Sequence, residues 1–203
     1  MKYTCGKRES VCKNKKSTDD DEDADEIYRE KNQVYFHAAV NKPNIQTLLV
    51  ELRLAEEYCI VTKNQLKIPE IPIYLHINSS GGEITPAFIA VDFITACKTP
   101  IHSVVEGECA SAASFISVSC NKRYICPNAY IMLHQMSCDA NWGKLNEMKD
   151  TYKYYNSIDR RIKKIYLKNT QITPEKLDKL WTKDLWLNSK KCIKYGLVDE
   201  IMV

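Results

Sequence analysis

Between residues 73 and 134 the chain switches repeatedly between two hydrophobic rhythms, and that switching narrows the fold more than any other feature. IPIYLHINSSGG reads as a buried strand ending in a glycine turn. TPAFIAVDFITACK follows as a helix, with Thr85 predicted as N-cap and Pro86 at the first helical position. IHSVVEG is a further strand, and ASAASFISVSC, rich in small residues, suits a tightly packed helix. KRYICP and AYIMLHQ are two short strands. Upstream, QVYFHAAV is a β-type run. Ile45, Leu48, Leu49, Leu52 and Ala55 then recur at three- and four-residue steps, as in a helix buried on one face. Alternating strand and helix predicts an α/β fold.

The character changes after Gly143. Leu145, Met148, Tyr152, Tyr155, Ile158, Ile162 and Ile165 keep a helical rhythm, giving one long helix with charged outer faces. Its stripe is expected to bury against another copy of the chain or within its own. Thr173-Pro174-Glu175 opens another helix. Asn188 caps a short last helix that Gly196 ends, and Leu197, Val198, Ile201 and Val203 read as a closing strand.

Composition excludes several classes. The net charge of +3 is small and its basic residues are scattered, which gives no case for nucleic acid. No apolar stretch approaches the ~20 residues that span a bilayer. The nine cysteines contain no Cys-x-x-Cys pair, so neither a metal site nor a redox site is expected, and no cofactor is implied. Several lie in apolar runs, as buried thiols do, and suggest a reducing intracellular compartment, the cytoplasm or else an organelle. Residues 1–26 carry a lysine cluster and then an acidic run, and are expected to be a disordered tail. A removable pro-segment or a partner-docking arm fits the same composition.

Four local features can carry chemistry. Ser111 follows a strand and opens a small-residue helix, where a nucleophile is exposed on a rigid base. Ser114, Ser117 and Ser119 compete with it locally. Asn78-Ser79-Ser80-Gly81-Gly82 is a turn whose free N–H groups suit an oxyanion, although an ordinary turn has the same composition. His134 ends a strand and can act as a base or as a core histidine. Asp184 lies between apolar positions before a helix cap and can orient an imidazole or sit on the surface. Their order is Ser…His…Asp, and no GxSxG elbow is present, which argues against an α/β-hydrolase.

At these residues the chain resembles the proteolytic subunit of the Clp protease, a serine peptidase family. IYLHINSSGGEIT resembles the family's YINSPGG segment, and GECASAASF its GxAASMGAF nucleophile segment. KRYICPNAYIMLHQ resembles KRxxLPNxxxMIHQP, and TKDLWLNSKKCIKYGLVDEI resembles RDxFMSAxEAxxYGLID. The resemblance runs from about Glu26 to Val203. It implies a crotonase-like core of parallel strands and helices over 27–203, with a protruding helical handle at about 139–168. It implies Ser111, His134 and Asp184 as the triad, with Gly82 and Ala112 as oxyanion donors. It further implies stacked heptameric rings forming a tetradecamer, a ring-shaped AAA+ Clp ATPase partner, and unfolded polypeptides as substrates. A strand of the handle near Gly143 would pair with extended substrate.

The departures are Ser80 and Met136 in place of prolines, Ala112 in place of methionine, and Lys183 in place of the arginine before the acid. Lysine makes a point ion pair where arginine makes a bidentate one. Two other functions remain open from sequence. One is a non-catalytic subunit of a mixed Clp ring; the other is an acyl-CoA enzyme of the crotonase fold.

Overall fold

The structure, a computed structural model, describes residues 26–137 and 143–202. The expected tail up to residue 25, and 138–142 at the expected start of the handle, lie outside the described residues.

The described residues form a mixed α/β fold of eight strands and six helices. Strands β2 (Gln33–His37), β3 (Ile73–Ser79), β4 (Ile101–Ala110), β5 (Lys122–Ile125) and β8 (Glu200–Ile201) lie side by side in parallel. These pairings are parallel, and among the described residues antiparallel pairs occur only where two further strands join the sheet. An edge strand β1 (Glu26–Glu30) pairs antiparallel with β2 because only two residues, Lys31 and Asn32, join them. Lys31 takes the positive φ of 61° that such a turn requires. At the other side β6 (Tyr130–Leu133) adds to β4 in parallel, and β7 (Leu185–Asn188) adds to β6 antiparallel.

Helices α1 (Lys42–Leu66), α2 (Ile84–Ala96) and α3 (Ala112–Val118) pack on the sheet. α1 begins where Asn41 Oδ1 accepts the Asn44 N–H at 2.9 Å, and it buries Ile45, Leu48, Leu49, Leu52 and Ala55, the stripe read from the sequence. α2 starts two residues earlier than predicted, at Ile84, with Glu83 and not Thr85 as its N-cap. Pro86 is tolerated there because first-turn N–H groups have no partner inside the helix.

Alternate residues of β2 and β3 face these helices: Val34, Phe36, Ile73, Leu75 and Ile77 are buried. The other face is polar and aromatic, not apolar as in a strand buried on both sides. There Tyr35 stacks between Tyr28 and His76, and Glu106 bonds His76 Nδ1 at 2.7 Å.

The long helix is α4 (Leu145–Asn169), roughly 37 Å at 1.5 Å per residue. Only its second half is docked, through Ile162 and Tyr166; Leu145, Met148 and Tyr152 are exposed. α5 (Pro174–Trp181) is capped by Thr173 Oγ1, and α6 (Ser189–Tyr195) by Asn188 Oδ1, with Gly196 ending it at φ 66°. No helix among the described residues is long and apolar enough to cross a membrane.

The six cysteines among the described residues are free thiols. Burial pushes Cys120 and Cys192 up to about 12, so neither forms the reactive thiolate at neutral pH.

Arg123 on β5 fastens the C-terminal segment. Its backbone N–H, Nε and Nη2 donate to the Asp199 carboxylate at 2.8, 3.1 and 2.6 Å, and Nη1 donates to the Asn169 carbonyl at the end of α4. Partial burial pushes the Asp199 carboxyl up, but its bonds to Arg123 outweigh this and hold it below the ordinary range. A depressed carboxyl stabilises the fold fully above the unfolded pKa of about 4, and the stabilisation fades as pH falls through the lower folded value. Urea titrations between about pH 5 and 2 are expected to show the midpoint dropping. In Asp199→Asn the midpoint is expected to be lower at pH 7 and its decline with acid shallower.

Candidate active site

One end of the sheet collects the residues singled out in the sequence, and strand register explains how. Ser79 of β3 pairs with Cys109 of β4, Ala110 of β4 with Met132 of β6, and Leu133 of β6 with Leu185 of β7. Gly81, Gly82, Ser111, His134 and Asp184 therefore each lie within three residues of the last rung on four adjacent strands. Carboxyl ends of parallel strands are the usual place for a site in such sheets.

Ser111 links β4 to α3 with φ 50° and ψ −120°, a conformation that costs a non-glycine residue on the order of 1–3 kcal/mol. Hydrogen bonds hold it from both sides. Its N–H donates to the Met132 carbonyl at 3.0 Å. Its carbonyl accepts from the Ser114 N–H at 3.0 Å and from Ser114 Oγ at 2.6 Å. Ser114 has spent its one proton there, so the buried Tyr166 hydroxyl on α4 donates to Ser114 Oγ at 2.6 Å. Burial raises the pKa of Tyr166 far above neutral pH, so it is a proton donor throughout.

The turn beside Ser111 admits no side chains. A Cβ on Gly81 would lie 2.8 Å from Ser111 Cβ and 2.6 Å from the Ala110 carbonyl oxygen. One on Gly82, at φ 144°, would lie 2.3 Å from the Val40 carbonyl oxygen. The Gly81 carbonyl and the Glu83 N–H bridge to Val40, both at 2.7 Å, which leaves the Gly82 N–H out of that bridge. Ala112 is the first residue of α3, so its N–H has no acceptor inside the helix.

Ser111 Oγ and His134 Nε2 are 2.6 Å apart. If the serine donates, Nδ1 carries the ring proton, the tautomer that a carboxylate on Nδ1 favours. Asp184 Oδ1 is 4.0 Å from Nδ1, beyond hydrogen-bond reach, and its side chain is 81% exposed. The competing serines are otherwise engaged: Ser117 Oγ lies 3.0 Å from Ser103 Oγ, and Ser119 donates to the Phe115 carbonyl. A cavity of about 60 Å³ opens at Ser111 and His134, walled by Phe115, Ile162 and Trp181. Among the described residues no group of three or more His, Cys, Asp and Glu side chains converges as a metal site.

The sequence profile of the Clp protease family matches residues 53–203, most of the chain. The chain belongs to the Clp protease family. It is also similar to the "ATP-dependent Clp protease proteolytic subunit 2" of Treponema denticola, with 29% identity over 189 residues that cover 92% of this chain and 90% of that one.

Two features of this Clp protease chain were not read from its sequence. The Tyr166–Ser114–Ser111 relay joins side chains 52 positions apart, and no local pattern signals it. Trp181 completes the cavity wall, edge-on to Tyr166 with its Nε1 donating to Asp159 at 2.6 Å. Tyr166→Phe keeps the ring packing but leaves Ser114 Oγ without its donor. It is expected to cost about 1–2 kcal/mol in denaturant titrations and to lower peptide turnover several-fold. Gly81→Ala, which drives a methyl into Ser111, is expected to lower turnover far more.

Proposed function

We propose that this chain is a serine endopeptidase subunit. The observation that carries the proposal is the 2.6 Å contact between Ser111 Oγ and His134 Nε2 at a strained strand-to-helix turn. Ser111 attacks the scissile carbonyl as His134 takes the hydroxyl proton. The tetrahedral oxyanion is held by the Gly82 and Ala112 N–H groups. The intermediate collapses as His134 passes the proton to the leaving amine, leaving an acyl-serine. Water, deprotonated by the same imidazole, then releases the acid and restores Ser111. Asp184 stabilises the imidazolium once its carboxylate closes by about 1 Å to hydrogen-bond distance.

The same reading extends to the architecture. The core over 27–203 is crotonase-like, and the segment at about 139–168 is a handle. The exposed stripe of Leu145, Met148 and Tyr152 supports burial of that helix against another copy, within stacked heptameric rings fed unfolded polypeptide by an AAA+ Clp ATPase. The name of the Treponema denticola relative supports ATP dependence.

One observation favours a second reading, a non-catalytic subunit of a mixed ring: Asp184 is exposed and not bonded to His134. A fluorophosphonate probe separates the two. Labelling of Ser111 in the purified protein, and loss of peptide cleavage by about a thousandfold or more in Ser111→Ala with assembly intact, is the result expected of a working triad. Unlabelled Ser111, or turnover unchanged in the variant, overturns the peptidase assignment. The acyl-CoA reading has no comparable support.

A further inference from the structure

A second depression adjoins the cavity at Ser111. It has a volume of about 550 Å³, and Ile84 and Met136 line both spaces. Tyr154, Tyr155 and Ile158 of α4 form its far wall, and Glu83 lies at its other side. Glu83 directly follows Gly82, and its N–H is tied to the Val40 carbonyl at 2.7 Å, so its position relative to the turn is set by the backbone. Its side chain is exposed and makes no ion pair among the described residues. Among the described residues no lysine or arginine lines this space; Lys153, Arg160, Arg161 and Lys164 line a different groove on α4.

Two separate features of this groove favour the same occupant. A free carboxylate attracts a cation, and Tyr154 and Tyr155, which line the groove with ring centroids 5.5 Å apart, supply aromatic rings whose quadrupoles attract one as well. The apolar side chains of Ile84, Met136 and Ile158 suit a long aliphatic stem. We propose that this groove is a substrate subsite selecting lysine or arginine near the scissile bond, with Glu83 as its specificity-determining residue. The proposal rests on the peptidase reading and adds a substrate class to it. A glutamate or aspartate in the same position would face Glu83 and be rejected.

The test uses the full chain and quenched fluorescent peptides that differ at one position, scanned from three residues before to three after the scissile bond. That position carries lysine, N-acetyl-lysine or glutamate, so the first two share a stem and differ in charge. At one position kcat/KM is expected to be higher for lysine than for acetyl-lysine by roughly fivefold, as an exposed ion pair with cation–π support gives. Glu83→Gln is expected to shrink that ratio, and Glu83→Lys to reverse the preference toward glutamate, which a merely structural role would not do. Equal rates for lysine and acetyl-lysine at every position, or a preference unchanged in both variants, overturns the proposal. If no peptide is cleaved, the peptidase reading fails separately, and the same peptides are titrated by fluorescence anisotropy. Tighter binding of the lysine peptide, lost in Glu83→Gln, then supports the subsite, and equal binding overturns it.

Discussion

The kink in β4 at Gly107 is the constraint on which the site rests. Up to Val105 this strand pairs with β5, and from Glu108 to Ala110 it pairs with β6. The exchange requires a bend. Gly107 supplies it at φ 71°, the register against β3 shifts between Ile77 and Ser79, and Asn78 Oδ1 accepts the Glu108 N–H at 3.2 Å. A Cβ at Gly107 would lie 2.8 Å from that Asn78 oxygen. Because β4 changes partner here, β6 arrives beside its last residues, and His134 ends next to Ser111. A straight strand pairing with β5 throughout would leave the imidazole without this neighbour.

The same logic accounts for the strain at Ser111. Positive φ in a residue with a side chain persists only where the surroundings over-determine it. Here β6 takes the N–H, the first turn of α3 takes the carbonyl, and α4 reinforces that turn through Tyr166. The absence of a side chain at Gly81 allows β3's loop to pass within contact of the serine Cβ. Most of the local sequence, from the small residues after Ser111 to the paired glycines, is accounted for by close approach of backbones.

Much of this was legible beforehand where the signal is local. The stripe of α1, the caps at Thr173 and Asn188 and the stop at Gly196 are patterns of spacing and side-chain chemistry, and they need no partner to be seen. β1 and β7 were not legible. EIYRE and LWLN are short, carry few buried residues, and are strands only because β2 and β6 offer them an edge. The Arg123–Asp199–Asn169 clamp escaped for a related reason, since its members come from three distant segments. At the site, the order of serine, histidine and aspartate is visible in the sequence, but the unequal separations of 2.6 and 4.0 Å depend on where β7 begins and which way Asp184 turns.

α4 is anchored from Ile158 through Ile162 to Tyr166 and bare at Leu145, which makes it a cantilever with an arm of roughly 20 Å. A rigid rod of that kind converts a displacement of a few ångströms at its tip into a rotation of a few degrees at its root. The root is one hydroxyl away from the Ser111 carbonyl. A displacement of the free end would therefore reach the turn that holds Ser111 only after being scaled down along the rod, through the Tyr166–Ser114 contact.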